Sequence, residues 1–207
     1  MSTSVRSTTA AATGAVFAVV LTLANGQGGT LSTPRDIAAT AALTLLIPFT
    51  VYVGSLLRAR VVDETGTWLA TTAVAGGVVG TCMKLLSDAP QIARSDAKIV
   101  DGSQADAALA AVASATTILA LFPFALFCLA TGVAALRSGA LPRWIGVGAL
   151  VTGASLAVNG CFLHTENVPA VLVLALWCLV TSIHLVRASR RVEAASGAVG
   201  AATPARG

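Results

Sequence analysis

Long apolar runs broken by short polar turns dominate this chain. Six stand out, at residues 9–25, 37–57, 67–87, 107–136, 144–163 and 168–187. Each is long enough, or nearly so, to carry a helix across a hydrocarbon core of about 30 Å at a rise of about 1.5 Å per residue. The pattern predicts an all-α fold, a polytopic membrane helix bundle of six transmembrane helices. Arg6 ahead of the first run gives it the look of a secretory signal. The following Asn25-Gly26-Gln27-Gly28-Gly29 offers no small-residue cleavage pattern, so that run reads as an uncleaved first span. Residues 1–191 then form one transmembrane domain. Residues 192–207 are Ala/Gly/Ser-rich without periodicity, and a disordered cytoplasmic tail is expected there.

Weak internal similarity runs through the spans. The second and fourth each carry an apolar-Pro-Phe step, Leu46-Ile47-Pro48-Phe49 and Leu121-Phe122-Pro123-Phe124, and the first and fifth both finish in Asn-Gly. Three tandem helical hairpins would explain these matches, although apolar low-complexity sequence also produces them. Pro48 and Pro123 are expected to kink their helices. Gly76 and Gly80 form a GxxxG, and Gly146, Gly153 and Gly160 recur every seven residues. In lipid such small residues let backbones approach closely. The spacing leaves open whether the contacts lie within one chain or between copies.

Composition sharpens the membrane assignment. The chain has 207 residues, 56% apolar and only 11% charged, against about 45–50% and about 25% in an average soluble domain. That excludes a disordered chain, a nucleic-acid module and an ordinary cytosolic enzyme. With the N-terminus inside, Arg6, Arg58, Arg60, Arg137, Arg143, Arg187, Arg190, Arg191 and Arg206 fall on the inner side. Arg35, Lys84, Arg94 and Lys98 fall outside. This positive-inside bias places both termini in the cytoplasm. The Ala-, Gly- and Arg-rich usage points to a bacterial source and hence a multi-pass protein of a bacterial plasma membrane.

Polar chemistry concentrates opposite the arginines. Lys84 lies well inside the third span, where an unpaired Lys at mid-bilayer would cost about 2.5–3.5 kcal/mol. Asp88, four residues on, is its natural counter-ion. Lys84 either snorkels to that partner or faces the bundle and binds an anionic or carbonyl-bearing ligand. Asn25, Lys84 and Asn159 are expected in one layer, with Asp36, Asp106, His164, Glu166 and Asn167 entering from the outer loops. Lys84, Asn25, Asn159, His164 and Glu166 are the candidate binding residues; Asp88 and Asp106 are the candidate catalytic acids. No metal site and no cofactor is expected. His164 and His184 stand about 30 Å apart along a helix and cannot both ligate one haem. Cys82, Cys128, Cys161 and Cys178 are isolated, without zinc spacing; a Cys82–Cys161 disulfide is open because both lie near one face.

The stretch Leu136-Arg-Ser-Gly-Ala-Leu-Pro-Arg-Trp-Ile-Gly146 is similar to the loop between the fourth and fifth spans in a family of small, uncharacterised bacterial integral membrane proteins. The span layout over roughly 10–190 resembles that family too. The resemblance implies fold and location and transfers no catalytic residue.

Nucleotide, hydrolase and channel-filter motifs are absent. The expected role is non-enzymatic: a scaffold, an accessory subunit or a binder of a lipophilic small molecule, in the lipid bilayer, with no nucleic acid and with oligomerisation left open. The alternative is a membrane enzyme acting on a lipid or isoprenoid. In it Asp88 or Asp106 would be a general acid for terpene-cyclase-like chemistry, and Phe49, Tyr52, Phe122, Phe124 and Trp177 would line an apolar cavity. A small transporter is the third reading.

Overall fold

A computed structural model describes residues 3–25, 40–96, 99–100, 102–163 and 168–201. The elements are α1 (Thr3–Asn25), α2 (Leu46–Arg58), α3 (Glu64–Asp96), α4 (Gln104–Ser138), α5 (Arg143–Val158) and α6 (Val168–Ala201). One helical turn at 40–44 leads into α2, and a π-helical turn, Asn159–Leu163, extends α5. Among the described residues, five stretches are long and apolar enough to cross a membrane: Thr40–Arg58, Glu64–Pro90, Gln104–Ser138, Arg143–Phe162 and Ala170–Arg191. In α1 the apolar stretch Thr8–Val20 is shorter.

Proline acts differently in its two expected positions. Pro48 has no N–H to offer the Thr44 carbonyl. The ladder gives way at Leu45, whose N–H turns back to the Ala42 carbonyl at 3.1 Å. Pro123, in contrast, sits inside α4 without interrupting it. The tail also departs from expectation. Helix α6 runs on to Ala201, past the boundary set at 191. Its last stretch carries Ala194, Ala195, Ala198 and Ala201, and alanine is the strongest helix former. Residues 202–207 lie outside the described ones.

Helices adjacent in sequence pack together, α1 closes the bundle against α6, and α2 also touches α4. One end of the bundle gathers the arginines. Thr8 at the start of α1 meets Ser189 near the end of α6, oxygen to oxygen 3.1 Å. The Trp144 ring, in the first turn of α5, meets His184 of α6 edge-on at 6.0 Å. The α2–α3 and α4–α5 turns lie at the same end. Arg58, Arg60, Arg137, Arg143, Arg187, Arg190 and Arg191 are thereby brought to one face of the protein, as the alternation of spans requires.

Small residues set the helix separations. A Cβ on Gly76 would lie 2.7 Å from the Pro123 carbonyl oxygen and 2.8 Å from the Phe127 nitrogen, so α3 and α4 touch backbone to backbone. Gly146, Gly153 and Gly160 all turn toward α4, against Leu136, Leu129 and Phe122 respectively. The GxxxG and the heptad of glycines therefore both serve contacts within one chain. A second pattern links odd and even helices. Gly14 of α1 makes room for Phe49 of α2, Gly80 of α3 for Phe124 of α4, and Gly148 of α5 lies against Trp177 of α6.

Trp177 is the centre of the core. Its ring meets Phe49 and Phe127 edge-to-face at 6.4 and 5.7 Å, and its indole N–H donates to the Ile145 carbonyl at 3.2 Å. Cys128 and Cys178 are buried, while Cys82 and Cys161 are exposed; all four are free thiols. The outer surface is rich in aliphatic side chains such as Val16, Leu86, Leu119, Val151 and Leu176. An exterior of that kind suits lipid rather than water.

Candidate functional site

Helix α3 carries its polar cluster about 30 Å from the arginine end, by the rise of an α-helix. Positions 84, 87 and 88 share one helix face because their spacings are three and four residues. The Lys84 ammonium donates to Ser87 Oγ at 2.9 Å and to Asp88 Oδ1 at 3.1 Å. Ser87 is fully buried, and its hydroxyl donates to the Lys84 carbonyl at 2.6 Å. Across the helix interface, Thr40 donates to Asp88 Oδ2 at 3.3 Å. Both oxygens of Asp88 are thus engaged, and the carboxylate ties α3 to the start of the second span. With side chains only 26% and 19% exposed, Lys84 and Asp88 form a partly desolvated pair. Two of the three ammonium hydrogens are spent inside the protein, which leaves one donor direction for an anionic or carbonyl oxygen.

Asp106 stands elsewhere. Gly76 faces Phe127 and Gly80 faces Phe124, so α3 and α4 run antiparallel with Lys84 level with about Ala120 and Asp88 with about Thr116. Asp106 is then about 15 Å beyond Asp88 along α4. There it closes a capping arrangement. Its backbone N–H donates to Ser103 Oγ at 3.2 Å, and its own Oδ2 accepts from the Gly102 N–H at 3.1 Å. Ser103 Oγ satisfies one N–H of the first turn of α4 as an N-cap does, while the Asp106 carboxylate reaches back to the Gly102 N–H just outside the helix and places an anion at the positive end of the α4 dipole.

The other expected site residues come from other elements. Asn159 is buried at the head of the π-helical turn; with Gly160 against Phe122, it stands within about one turn of helix of the Lys84 level. Asn25 ends α1. His164, Glu166 and Asp36 lie outside the described residues. The aromatic set assigned to an apolar cavity is split. Phe49, Phe124 and Trp177 are buried in the packed core, whereas Phe122 is 40% exposed and lies against Gly160. No group of three or more potential metal ligands occurs among the described residues.

Two features escaped sequence reading. Thr131, Thr181 and Ser182 carry buried hydroxyls with no hydrogen-bond partner among the described residues. Other buried threonines, such as Thr81 and Thr152, instead donate to a carbonyl four residues back. Only packing tells the two groups apart. At the arginine end, Asp63 caps α3, with Oδ1 accepting from the Gly66 N–H at 3.3 Å, while Oδ2 takes the Arg137 guanidinium at 2.9 Å. The Asp-x-x-Gly signal for that cap was present in the sequence.

A family model described as a domain of unknown function, DUF4386, matches residues 10–189. No protein of curated function and no solved structure matches the chain.

Proposed function

The chain belongs to the DUF4386 family, whose model spans residues 10–189, and we propose that it is a non-catalytic, six-span scaffold or accessory protein of a bacterial plasma membrane. Its arginine face lies in the cytoplasm, and its six helices derive from three hairpins. The observation that carries the non-catalytic reading is the employment of both candidate acids. Asp88 neutralises Lys84 and holds Thr40, and Asp106 closes the cap of α4. Support for three hairpins comes from the recurring glycine-to-aromatic contact, Gly14 with Phe49, Gly80 with Phe124 and Gly148 with Trp177. The gathering of arginines at one end supports the orientation, since Lys and Arg accumulate on the cytoplasmic side.

Structural acids and catalytic acids answer differently to neutralisation. A capping side chain is worth about 1 kcal/mol, and removing the partner of a partly buried ion costs about the same after screening by solvent. Asp106→Asn and Asp88→Asn are therefore expected each to lower the unfolding midpoint of the detergent-solubilised protein. An acid kept for chemistry is held at a cost to stability. Unchanged or raised midpoints in both variants would overturn the proposal.

Orientation has its own test. Val62, at the tip of the α2–α3 turn, is fully exposed. With the native cysteines replaced by alanine, Val62→Cys is expected to react with a membrane-impermeant maleimide only after the plasma membrane is opened. Labelling of intact cells would reverse the assigned orientation.

A further inference from the structure

The α2–α3 turn and the last turn of α4 enclose an open cavity of about 310 Å³, lined by Arg60, Val61, Val62, Asp63, Arg137 and Ser138. Its charges are unequal in their engagement. Arg137 is paired with Asp63, whose second oxygen is taken by the Gly66 N–H. Arg58 nearby donates to Thr71 at 2.6 Å. Arg60 alone among these guanidiniums has no partner among the described residues. The Arg137–Asp63 pair cancels itself, so the cavity presents the net positive charge of Arg60. Ser138 adds a hydroxyl: its oxygen accepts from the Ala140 N–H at 3.2 Å, and its hydrogen is available to donate.

Depth and polarity narrow the ligand. Trp68 and Trp144, in the first turns of α3 and α5, are 65% and 57% exposed at this same end of the bundle. Exposed tryptophans collect at the level of lipid headgroups, so the cavity opens at that level. Val62 stands fully exposed on its rim and adds an apolar side chain there. A lone guanidinium, a hydroxyl donor and an aliphatic rim at headgroup depth fit a singly charged phosphodiester attached to an apolar body. Arginine suits such a group because its planar fork can donate two parallel hydrogen bonds to phosphate oxygens.

We propose that the Arg60–Arg137–Ser138 cavity is a binding site for the phosphodiester headgroup of an anionic phospholipid. The site depends on the protein's lying in a membrane, not on which face is cytoplasmic or on whether the chain is catalytic. The Val62→Cys labelling therefore succeeds or fails separately from it.

The test uses the full chain in detergent, titrated with phosphatidylglycerol, with phosphatidylcholine, with oleate and with inorganic phosphate, and read by native mass spectrometry and by thermal unfolding. Phosphatidylglycerol is expected to bind and stabilise the protein more than phosphatidylcholine or oleate does. Arg60→Ala is expected to weaken that binding about tenfold, the loss that accompanies one charge-assisted hydrogen bond. Arg191→Ala, at the same end but outside the cavity, is expected to leave affinity within about twofold, the response of diffuse surface charge. Equal losses from Arg60→Ala and Arg191→Ala would reduce the effect to general attraction and overturn the site. Competition by millimolar inorganic phosphate would make it a site for free phosphate and overturn the lipid assignment. Equal binding of oleate would overturn the phosphodiester specificity.

Discussion

Gly76→Leu is expected to drive α3 away from α4 and to cost about 3 kcal/mol, the upper end of the range for overpacking. A Cβ at this position meets main-chain atoms, the Pro123 oxygen at 2.7 Å and the Phe127 nitrogen at 2.8 Å. Main chain inside a helix cannot rotate aside as a side-chain tip can. Relief requires separation of the helices, and the Gly80–Phe124 contact one turn away would open with it. Gly148→Ala is the matched control. Its nearest neighbour is the Trp177 ring at 3.4 Å, an ordinary contact, so the change is expected to fall within about 0.5 kcal/mol. Denaturant titration of both variants in micelles checks the pair; similar midpoints would show that the α3–α4 approach is not a determinant of stability.

Removing the central ring should match or exceed that effect. Trp177→Ala is expected to destabilise the bundle by about 3–5 kcal/mol, the cost of deleting a large buried aromatic. Phe49 and Phe127 both lose their edge-to-face neighbour, and the contacts bring together α2, α4 and α6. Trp177→Phe separates the ring from its N–H. It keeps an aromatic face for both phenylalanines and deletes the hydrogen bond to the Ile145 carbonyl, worth about 1 kcal/mol. A Phe variant as unstable as the Ala variant would shift the weight from ring packing to that single hydrogen bond.

These expectations rest on contacts with unequal visibility in the sequence. The i,i+4 spacing of Lys84 and Asp88 was enough to pair them, because helix geometry makes such positions neighbours wherever the helix goes. The third member, Thr40, was not legible, since its contact with Asp88 crosses from the second span to α3. Asp106 reads two ways in the sequence for another reason. The Ser103-x-x-Asp106 signature of a cap is local and readable, yet a carboxylate near a membrane surface also fits acid chemistry. The hydrogen bonds to Ser103 and Gly102, which support the capping use, come only with the folded turn. Pro48 and Pro123 share a sequence step and have different consequences, a break at Leu45 in one case and an uninterrupted helix in the other.

Hydropathy is a sum over residues that needs no knowledge of neighbours in space. The amino-acid string by itself therefore determined the apolar helices, their approximate limits and the collection of arginines at alternate turns. Which helix faces meet depends on shape across residues distant in the chain. Tertiary structure alone decided that Gly76 and the Gly146–Gly153–Gly160 row both turn to α4, that Trp177 fills the centre, and that Arg60 is left facing a cavity while Arg137 is held by Asp63.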